Sequence, residues 1–179
     1  LGMANSIASI VVAALAPLLG SVADRGSAKK KFLTFFAFLG VIMTGGLWMV
    51  AQGNWQMAVL FYVIATIGFA SGNVFYDALL PGLASEERVD AVSSLGFGLG
   101  YLGGGLLFLV NVFMYLKPEI FGIPDGATAI KLSFLSVAVW WAVFTIPLIL
   151  FVPEPKNYEN IDFNNAIRMG WVQLVQTFK

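Results

Sequence analysis

The sequence predicts an all-α integral membrane protein, with five transmembrane helices followed by a cytoplasmic amphipathic helix. Hydrophobic residues make up 59% of the 179 residues and charged residues 11%, whereas ordinary soluble domains have about 45–50% and about 25%. The apolar residues form long blocks with the charged residues between them, and each block approaches the roughly 20 residues that cross hydrocarbon. A soluble fold could not bury so much apolar surface, so the blocks are predicted to be membrane spans.

The five spans are predicted, in order, at residues 3–22, 32–51, 55–80, 91–116 and 130–152. Eight of the ten Lys and Arg residues fall in the first and third connections or after the last span, and the other two flank the fourth connection. Because cytoplasmic loops carry the excess of basic residues, those three segments are predicted to be cytoplasmic. The first span then begins on the outer side, which predicts a further helix before it.

Beyond the last span, the tail predicts an amphipathic helix. Apolar side chains recur there at helical spacing, and polar residues occupy the other faces. The apolar residues are Phe163, Ile167, Trp171, Leu174 and Phe178. Asp162 is a candidate N-cap. We expect this helix on the cytoplasmic side, either as a linker between two halves of a larger protein or as a docking helix for a partner.

The stretch GFGLGYLGGG, residues 96–105, contains the letters Gly-x-Gly-x-x-Gly of a dinucleotide-binding loop. That loop follows a β-strand and opens a helix, but here an unbroken apolar run continues the stretch. In membranes, glycines three or four residues apart let a neighbouring helix approach closely. Helix packing is therefore predicted, with a surface that slides during a conformational cycle as the functional alternative. The predicted packing residues are Gly96, Gly100, Gly103 and Gly104.

The most specific motif is GSVADRGSAKK, in the first cytoplasmic connection. It resembles the loop between the second and third helices of the major facilitator superfamily, whose pattern is Gly-x-x-x-Asp-Arg-x-Gly followed by two basic residues. Gly20, Asp24 and Arg25 match in register. Lys29 matches the second basic residue, while the second glycine is displaced and the first basic residue is replaced. Ordinary basic flanking of a span explains the lysines but does not explain Asp24.

Two further stretches, GNVFYDALLPGLA and SSLGFGLGYLGGGLL, resemble one branch of that superfamily, the autophagy-related vacuolar amino-acid effluxers and their bacterial homologues. The resemblance implies that the spans are the second to sixth of twelve helices. Residues 1–153 would then form most of a six-helix half-bundle, and residues 154–179 would begin the central cytoplasmic loop. The missing first helix and the C-terminal six-helix half become expected partners. A multi-pass location is implied, in the cell inner membrane of a bacterium or a vacuolar-type membrane of a fungus.

Asp77 is the one carboxylate inside a predicted span, towards its cytoplasmic end. An unpaired charge costs about 2.5–3.5 kcal/mol at the centre of a span and less near the interface, so Asp77 needs a partner. Arg25 with Asp24 is the predicted partner pair. The loop motif implies a charge latch that closes the cytoplasmic side in one state, formed by Gly20, Asp24, Arg25, Lys29 and Asp77. A proton-carrying role for Asp77 is the alternative.

Polar residues within the spans are candidate substrate contacts. By analogy with the superfamily, where the second, fourth and fifth helices line the cavity, the candidates are Asn73, Tyr76, Tyr101 and Asn111. The alternative is that each joins two helices by a hydrogen bond, which is worth about 0.6 kcal/mol on average. Trp140 and Trp141 are expected to be interfacial anchors or lipid-facing residues.

Several functions are disfavoured by what the sequence lacks. It has no histidine and no cysteine, so no Ser-His-Asp or Cys-His set and no credible metal cluster is expected. It has no phosphate-binding loop for ATP, and its zero net charge offers no basic face for nucleic acid. We therefore expect no enzyme activity, no cofactor and no nucleic acid partner. The expected partners are a small-molecule solute and the lipid bilayer.

The predicted function is secondary active transport of small organic solutes by alternating access. The resemblance implies amino acids as the leading substrate class, and proton coupling is a further expectation. The alternative is a non-transporting membrane scaffold or receptor, in which the polar span residues only join helices and the tail binds a partner. The two differ in one respect, because a transporter needs a water-accessible cavity between its halves.

Overall fold

Five long α-helices dominate the chain in a computed structural model, which describes residues 2–25, 28–85, 87–154 and 172. They are α1 (Gly2–Arg25), α2 (Lys29–Gly46), α3 (Trp55–Leu79), α4 (Val89–Leu116) and α5 (Gly126–Phe151). Short 3-10 turns follow α2, α3 and α4 at Leu47–Met49, Leu80–Gly82 and Pro118–Phe121. All five helices are long and apolar enough to cross a membrane, which confirms the predicted all-α membrane fold. The predicted tail helix falls, apart from residue 172, outside the described residues.

The most extensive helix pairing joins α2 and α3, and glycine makes it possible. A Cβ atom added to Gly68 of α3 would lie only 2.8 Å from the backbone nitrogen of Gly40 and 2.8 Å from the backbone oxygen of Phe36. The missing side chains therefore let the two helix backbones touch. The Trp141 ring of α5 also lies against Gly40, where a Cβ would overlap it. Three helices thus meet at one glycine.

A buried apolar cluster joins the end of α1, the start of α2 and the end of α3. Its buried members are Val22, Ala23, Leu33, Phe75 and Leu79. The Phe75 ring is completely buried and stacks on Phe32 and Phe36, with centroid distances of 5.1 and 5.9 Å. Stacked rings gain about 0.5–1.5 kcal/mol beyond the burial of their area. This cluster holds the three helices as one unit.

The fourth helix is attached more loosely, mainly to α5 and near its own C-terminal end. Met114 is the buried residue of α4 and packs in a small cluster with Ile123 and Ala129. The Tyr115 ring also lies close to Gly126, where an added Cβ would be 3.0 Å away. These contacts lie in the last turns of α4. The N-terminal half of α4 stands away from α3 and leaves a cleft between the two helices.

Two boundaries revise the sequence interpretation of the cytoplasmic turn. α1 continues past Pro17 to Arg25, so Asp24 and Arg25 lie in a last helical turn rather than in a loop. α2 already begins at Lys29, which places the lysines in its first turn. The glycine stretch 96–105 lies wholly inside α4. The strand-to-helix turn of a dinucleotide loop is therefore not formed there.

Candidate functional site

An open cleft of about 420 Å³ separates the C-terminal half of α3 from the N-terminal half of α4. Its lining consists of Phe69, Asn73 and Tyr76 of α3 with Gly96, Phe97, Gly100 and Tyr101 of α4. The volume falls in the range of roughly 300–1,000 Å³ that is typical of small-molecule sites. Three of the four residues predicted to contact substrate therefore lie in one cleft.

The residues that line the cleft are aromatic, small or polar, and all are uncharged. Asn73 supplies an amide, and Tyr76 and Tyr101 supply hydroxyl groups. Tyr101 is 80% exposed, so its ring is largely uncovered by the other described residues. A Cβ on Gly96 would lie 3.1 Å from the Tyr76 hydroxyl, so the glycine makes room for that group. A few polar groups among aromatic faces is the usual composition of a site for a small organic molecule.

A smaller and more enclosed cavity of about 120 Å³ lies among α2, α3 and α5, and we call it the side pocket. Phe69, Asn73 and Tyr76 line both the side pocket and the cleft. The other lining residues are Leu33, Ala37, Gly72, Trp141, Phe144, Thr145 and Leu148. Trp141 thus faces the interior between helices, and the expectation of an anchor or lipid-facing residue was wrong for it. The reason is Gly40, which provides the space for its ring.

The fourth predicted substrate contact, Asn111, joins two helices in this structure. Its side-chain oxygen accepts a hydrogen bond of 2.9 Å from the Ser136 hydroxyl of α5. The same hydroxyl lies 2.9 Å from the Ser133 carbonyl oxygen, so the proton is shared between two acceptors. Asn111 is not among the residues that line the cleft.

The glycines predicted to pack α4 have different surroundings. Gly103 faces the Trp140 indole, which would lie 3.6 Å from an added Cβ. At Gly100 and Gly104 an added Cβ would find no atom within 4 Å. Within the described chain, those two glycines face open space, so the sequence prediction of packing through them stays a prediction.

Two lysines connect the beginning of α2 to the ends of its neighbours. The Lys29 ammonium donates a hydrogen bond of 3.1 Å to the Ala78 carbonyl near the end of α3. The Lys30 ammonium donates one of 2.7 Å to the Val152 carbonyl just after α5. The last carbonyls of a helix lack partners inside the helix and carry partial negative charge. Each lysine therefore neutralises a helix end that water or another group would otherwise have to satisfy.

A carboxylate completes this group at the start of α2. One oxygen of Glu154, Oε2, accepts a hydrogen bond of 3.0 Å from the Lys30 backbone N–H, and negative charge is favoured at that end of a helix. The other oxygen, Oε1, is buried without a hydrogen-bond partner among the described residues. We call Lys29, Lys30 and Glu154 the cytoplasmic clasp. The sequence interpretation identified only Lys29; the signals for the other two were a lysine in a first helical turn and a carboxylate directly after a span.

The remaining residues of the predicted latch lie close to the clasp in sequence. Asp77 is exposed near the end of α3, next to the Ala78 that Lys29 binds. Gly20 lies in α1 with no atom within 4 Å of an added Cβ. Asp24 and Arg25 are in the last turn of α1, but the predicted pairing of their side chains lies outside what the structure describes. The Asp77–Arg25–Asp24 cluster therefore stays a prediction.

Asp125 caps the N-terminus of α5. Its Oδ1 accepts a hydrogen bond of 2.7 Å from the Thr128 backbone N–H, and this bond holds the pKa of the carboxyl below its usual value. A lowered pKa means that the cap stabilises the folded chain above the unfolded-state pKa and that this contribution is lost as pH falls through the folded pKa. Elsewhere in the described ranges, no group of three His, Cys, Asp or Glu residues is placed to hold a metal ion.

Comparison with known proteins identifies the family of this chain. An uncharacterized MFS-type transporter of Bacillus subtilis, YxiO, is 38% identical over 174 residues, which are 95% of this chain and 41% of that protein. Autophagy-related protein 22 of Yarrowia lipolytica is 21% identical over 239 aligned positions, covering 90% of this chain and 39% of that protein. An uncharacterized protein of Aquifex aeolicus is 29% identical over 126 residues, 70% of this chain and 31% of that protein.

The chain thus spans about two fifths or less of the length of these relatives. No solved structure matches it. The family model described as vacuole effluxer Atg22 like matches residues 2–179, nearly the whole chain. With its five apolar helices, the chain is a multi-pass integral membrane protein and belongs to the Atg22-like vacuole effluxer family.

Proposed function

We propose that the full-length protein is a secondary active transporter of small organic solutes, with amino acids as the leading substrate class. The observation that carries this proposal is the convergence of Asn73, Tyr76 and Tyr101 on one open cleft inside a bundle of apolar helices. Alternating access requires such a surface, which water and solute can reach between two helix bundles. Residues that served only to join helices would instead be paired between them, as Asn111 is.

The names of the relatives support the same class. The Bacillus subtilis relative is named an MFS-type transporter, and the family description is that of a vacuole effluxer. The Bacillus subtilis relative is more than twice as long as the segment that matches this chain. The transport activity is therefore proposed for the whole protein, to which this chain contributes one part of the site.

The chemistry of the cleft suits an amino acid in a specific way. Amide and hydroxyl groups can bind a carboxylate or an amine, and an ammonium group is attracted to the face of an aromatic ring by about 0.5–2 kcal/mol. Phe97 and Tyr101 present such faces at the cleft. The cleft itself has no charged lining residue. We infer that ionic partners for the solute come from the part of the protein outside this chain.

We also propose that the cytoplasmic side carries the charge latch of Gly20, Asp24, Arg25, Lys29 and Asp77. The bond from Lys29 to Ala78 supports it, because this bond brings a basic residue of the motif beside Asp77. Proton carriage by Asp77 is the alternative. An Asp77→Asn variant separates the two roles: a latch predicts an altered rate with unchanged pH dependence, and a proton carrier predicts loss of the pH dependence. Full rate with full pH dependence would remove both roles.

Reconstituted transport is the direct test of the proposed function. Full-length protein in proteoliposomes is screened for uptake and efflux of radiolabelled amino acids, with and without a pH gradient. We expect saturable flux of at least one amino acid above that of protein-free liposomes. If no amino acid moves, other small organic solutes follow in the same assay. Absence of flux for all of them contradicts the proposal and favours the scaffold alternative.

Thiol accessibility tests the cleft without knowledge of the substrate. The chain contains no cysteine, so Asn73→Cys and Tyr101→Cys each add one thiol to it. Both are expected to react with a membrane-impermeant maleimide from one side of the membrane, since both positions line the cleft. Ala129→Cys is the matched control, because Ala129 is completely buried. Cleft thiols that stay as unreactive as the control from both sides would contradict a water-accessible cavity.

A further inference from the structure

We propose that the side pocket is a selectivity subsite, which receives the uncharged side chain of a solute bound in the cleft. This inference rests on the proposed function, and it adds the place where solutes of different size are distinguished. The starting observation is adjacency: Phe69, Asn73 and Tyr76 line both the cleft and the side pocket. A solute held in the cleft by the polar groups of these residues would lie directly beside the side pocket.

The size of the side pocket sets what enters it. Its volume is about 120 Å³, compared with about 150 Å³ for a dry apolar cavity that binds benzene. The space therefore suits an aliphatic group of about four carbon atoms, and an indole would overfill it. The neighbouring cleft, at about 420 Å³, is large enough for the rest of the solute.

The chemistry of the side pocket excludes charge. No lining residue is charged, and burying an unpaired charge in apolar surroundings is strongly unfavourable. The Thr145 hydroxyl already donates to the Trp141 carbonyl at 2.7 Å, so it is engaged within its own helix. Trp141 itself is held by Gly40 and packs edge-on against Phe69, with centroids 5.9 Å apart. The lining is thus uncharged and mostly apolar, with one wall formed by the Trp141 and Phe69 rings.

Gly72 provides a variant that reduces this space without disturbing the helices. An added Cβ there would meet Ala37 and Leu33, which also line the side pocket, at 3.9 Å. That distance is ordinary van der Waals contact, so Gly72→Ala fits sterically and adds a methyl group to the wall. The matched control is Gly105→Ala, which adds the same methyl group to α4 at a position with no atom within 4 Å. Gly105 lines neither cavity.

The experiment measures KM for alanine, valine, leucine and tryptophan with the full-length protein in proteoliposomes. In the wild type, KM is expected to fall by about fourfold for each methylene group from alanine to leucine, as for burial of a methylene, and to rise again for tryptophan. In Gly72→Ala, KM for leucine is expected to rise about fourfold or more, with KM for alanine within about twofold. Retained alanine transport shows that the variant is folded. Gly105→Ala is expected to match the wild type.

Two results would overturn the inference. One is an unchanged KM for leucine in Gly72→Ala, and the other is an equal change for alanine and leucine, since either shows that the added methyl group does not act on the side chain of the solute. A wild type that transports none of the amino acids overturns the proposed function itself, and this inference with it. Transport by the wild type combined with an unaltered preference in Gly72→Ala refutes only the subsite.

Discussion

Gly40 of α2 and Gly68 of α3 have surroundings opposite to those of Gly100 and Gly104 of α4. At Gly68 and Gly40, every added atom would collide with a neighbouring backbone or ring. At Gly100 and Gly104, an added atom would meet nothing. Glycine spacing therefore predicts that a helix face permits close approach, but it does not predict that the approaching helix belongs to the same chain. The first pair locks three helices together, and the second leaves a smooth face beside the cleft.

The largest effect is expected at Gly68. Its Cβ would lie 2.8 Å from two backbone atoms of α2, and backbone atoms cannot rotate away as a side chain can. Gly68→Ala should therefore destabilise the bundle by about 1–3 kcal/mol or more, measured as a lower melting temperature by circular dichroism in detergent. Gly72→Ala, four residues later and with 3.9 Å of room, is the control. Equal melting temperatures for the two variants would contradict the difference between locked and open glycines.

A somewhat smaller effect is expected at Gly40, because its closest neighbour is the Trp141 side chain. Gly40→Ala should cost about 1–3 kcal/mol, and Trp141→Leu should cost stability by leaving a cavity. The double variant should lose less than the sum of the two, since the smaller side chain accommodates the new methyl group. The readout is again thermal melting. Strict additivity would show that the ring and the glycine do not constrain each other.

Because α4 is attached loosely, a small effect on stability is expected where it contacts α5. Ser136→Ala removes the hydrogen bond to Asn111, and the expected loss is about 0.6 kcal/mol, the average for such bonds in membrane bundles. Ser133→Ala is the matched control, because that hydroxyl donates to the Ala129 carbonyl of its own helix. Thermal melting of both variants in the same detergent gives the difference in stability. A loss of stability larger than that of Gly68→Ala would mean that α4 is held as firmly as α2 and α3.

The smallest effect is expected at Gly104. Since an added Cβ meets no atom within 4 Å, Gly104→Ala should leave thermal stability unchanged or raise it slightly, as alanine is the better helix former. In the full-length protein the sign of the change is informative. A clear loss of stability would show that a partner outside this chain packs on the glycine face. Normal stability with a lower transport rate would instead support a surface that slides.

The membrane fold followed directly from the sequence, because backbone groups in hydrocarbon must be satisfied within helices and each apolar block then has only one solution. Which helices contact each other was harder to predict from the sequence. The sequence predicted close packing at the glycine-rich α4, whereas the closest helix crossing uses Gly40 and Gly68, which are far apart in sequence. Such a crossing depends on the rotation of both helices, and neither period nor composition specifies that.

The candidate site was predicted in the same uneven way. Asn73, Tyr76 and Tyr101 were selected as polar residues on helices that line the cavity by analogy with the superfamily, and they share a cleft. Glu154 and Lys30 were missed because basic residues beside a span have a sufficient general explanation, which hides the bond that each one makes. The position of Trp141 was wrong because aromatic residues in membrane proteins are common at interfaces, and only the three-dimensional structure places its ring against Gly40.

The placement of Trp141 makes its fluorescence a reporter of the side pocket. An indole emits at a wavelength that depends on the polarity around it, and this indole lines the side pocket. The chain has four other tryptophans, Trp48, Trp55, Trp140 and Trp171, and their replacement by phenylalanine would leave one reporter in the chain. Its emission would then respond when a solute displaces water from the pocket, even in a protein arrested in one conformation. Occupancy and movement could in this way be followed as separate events.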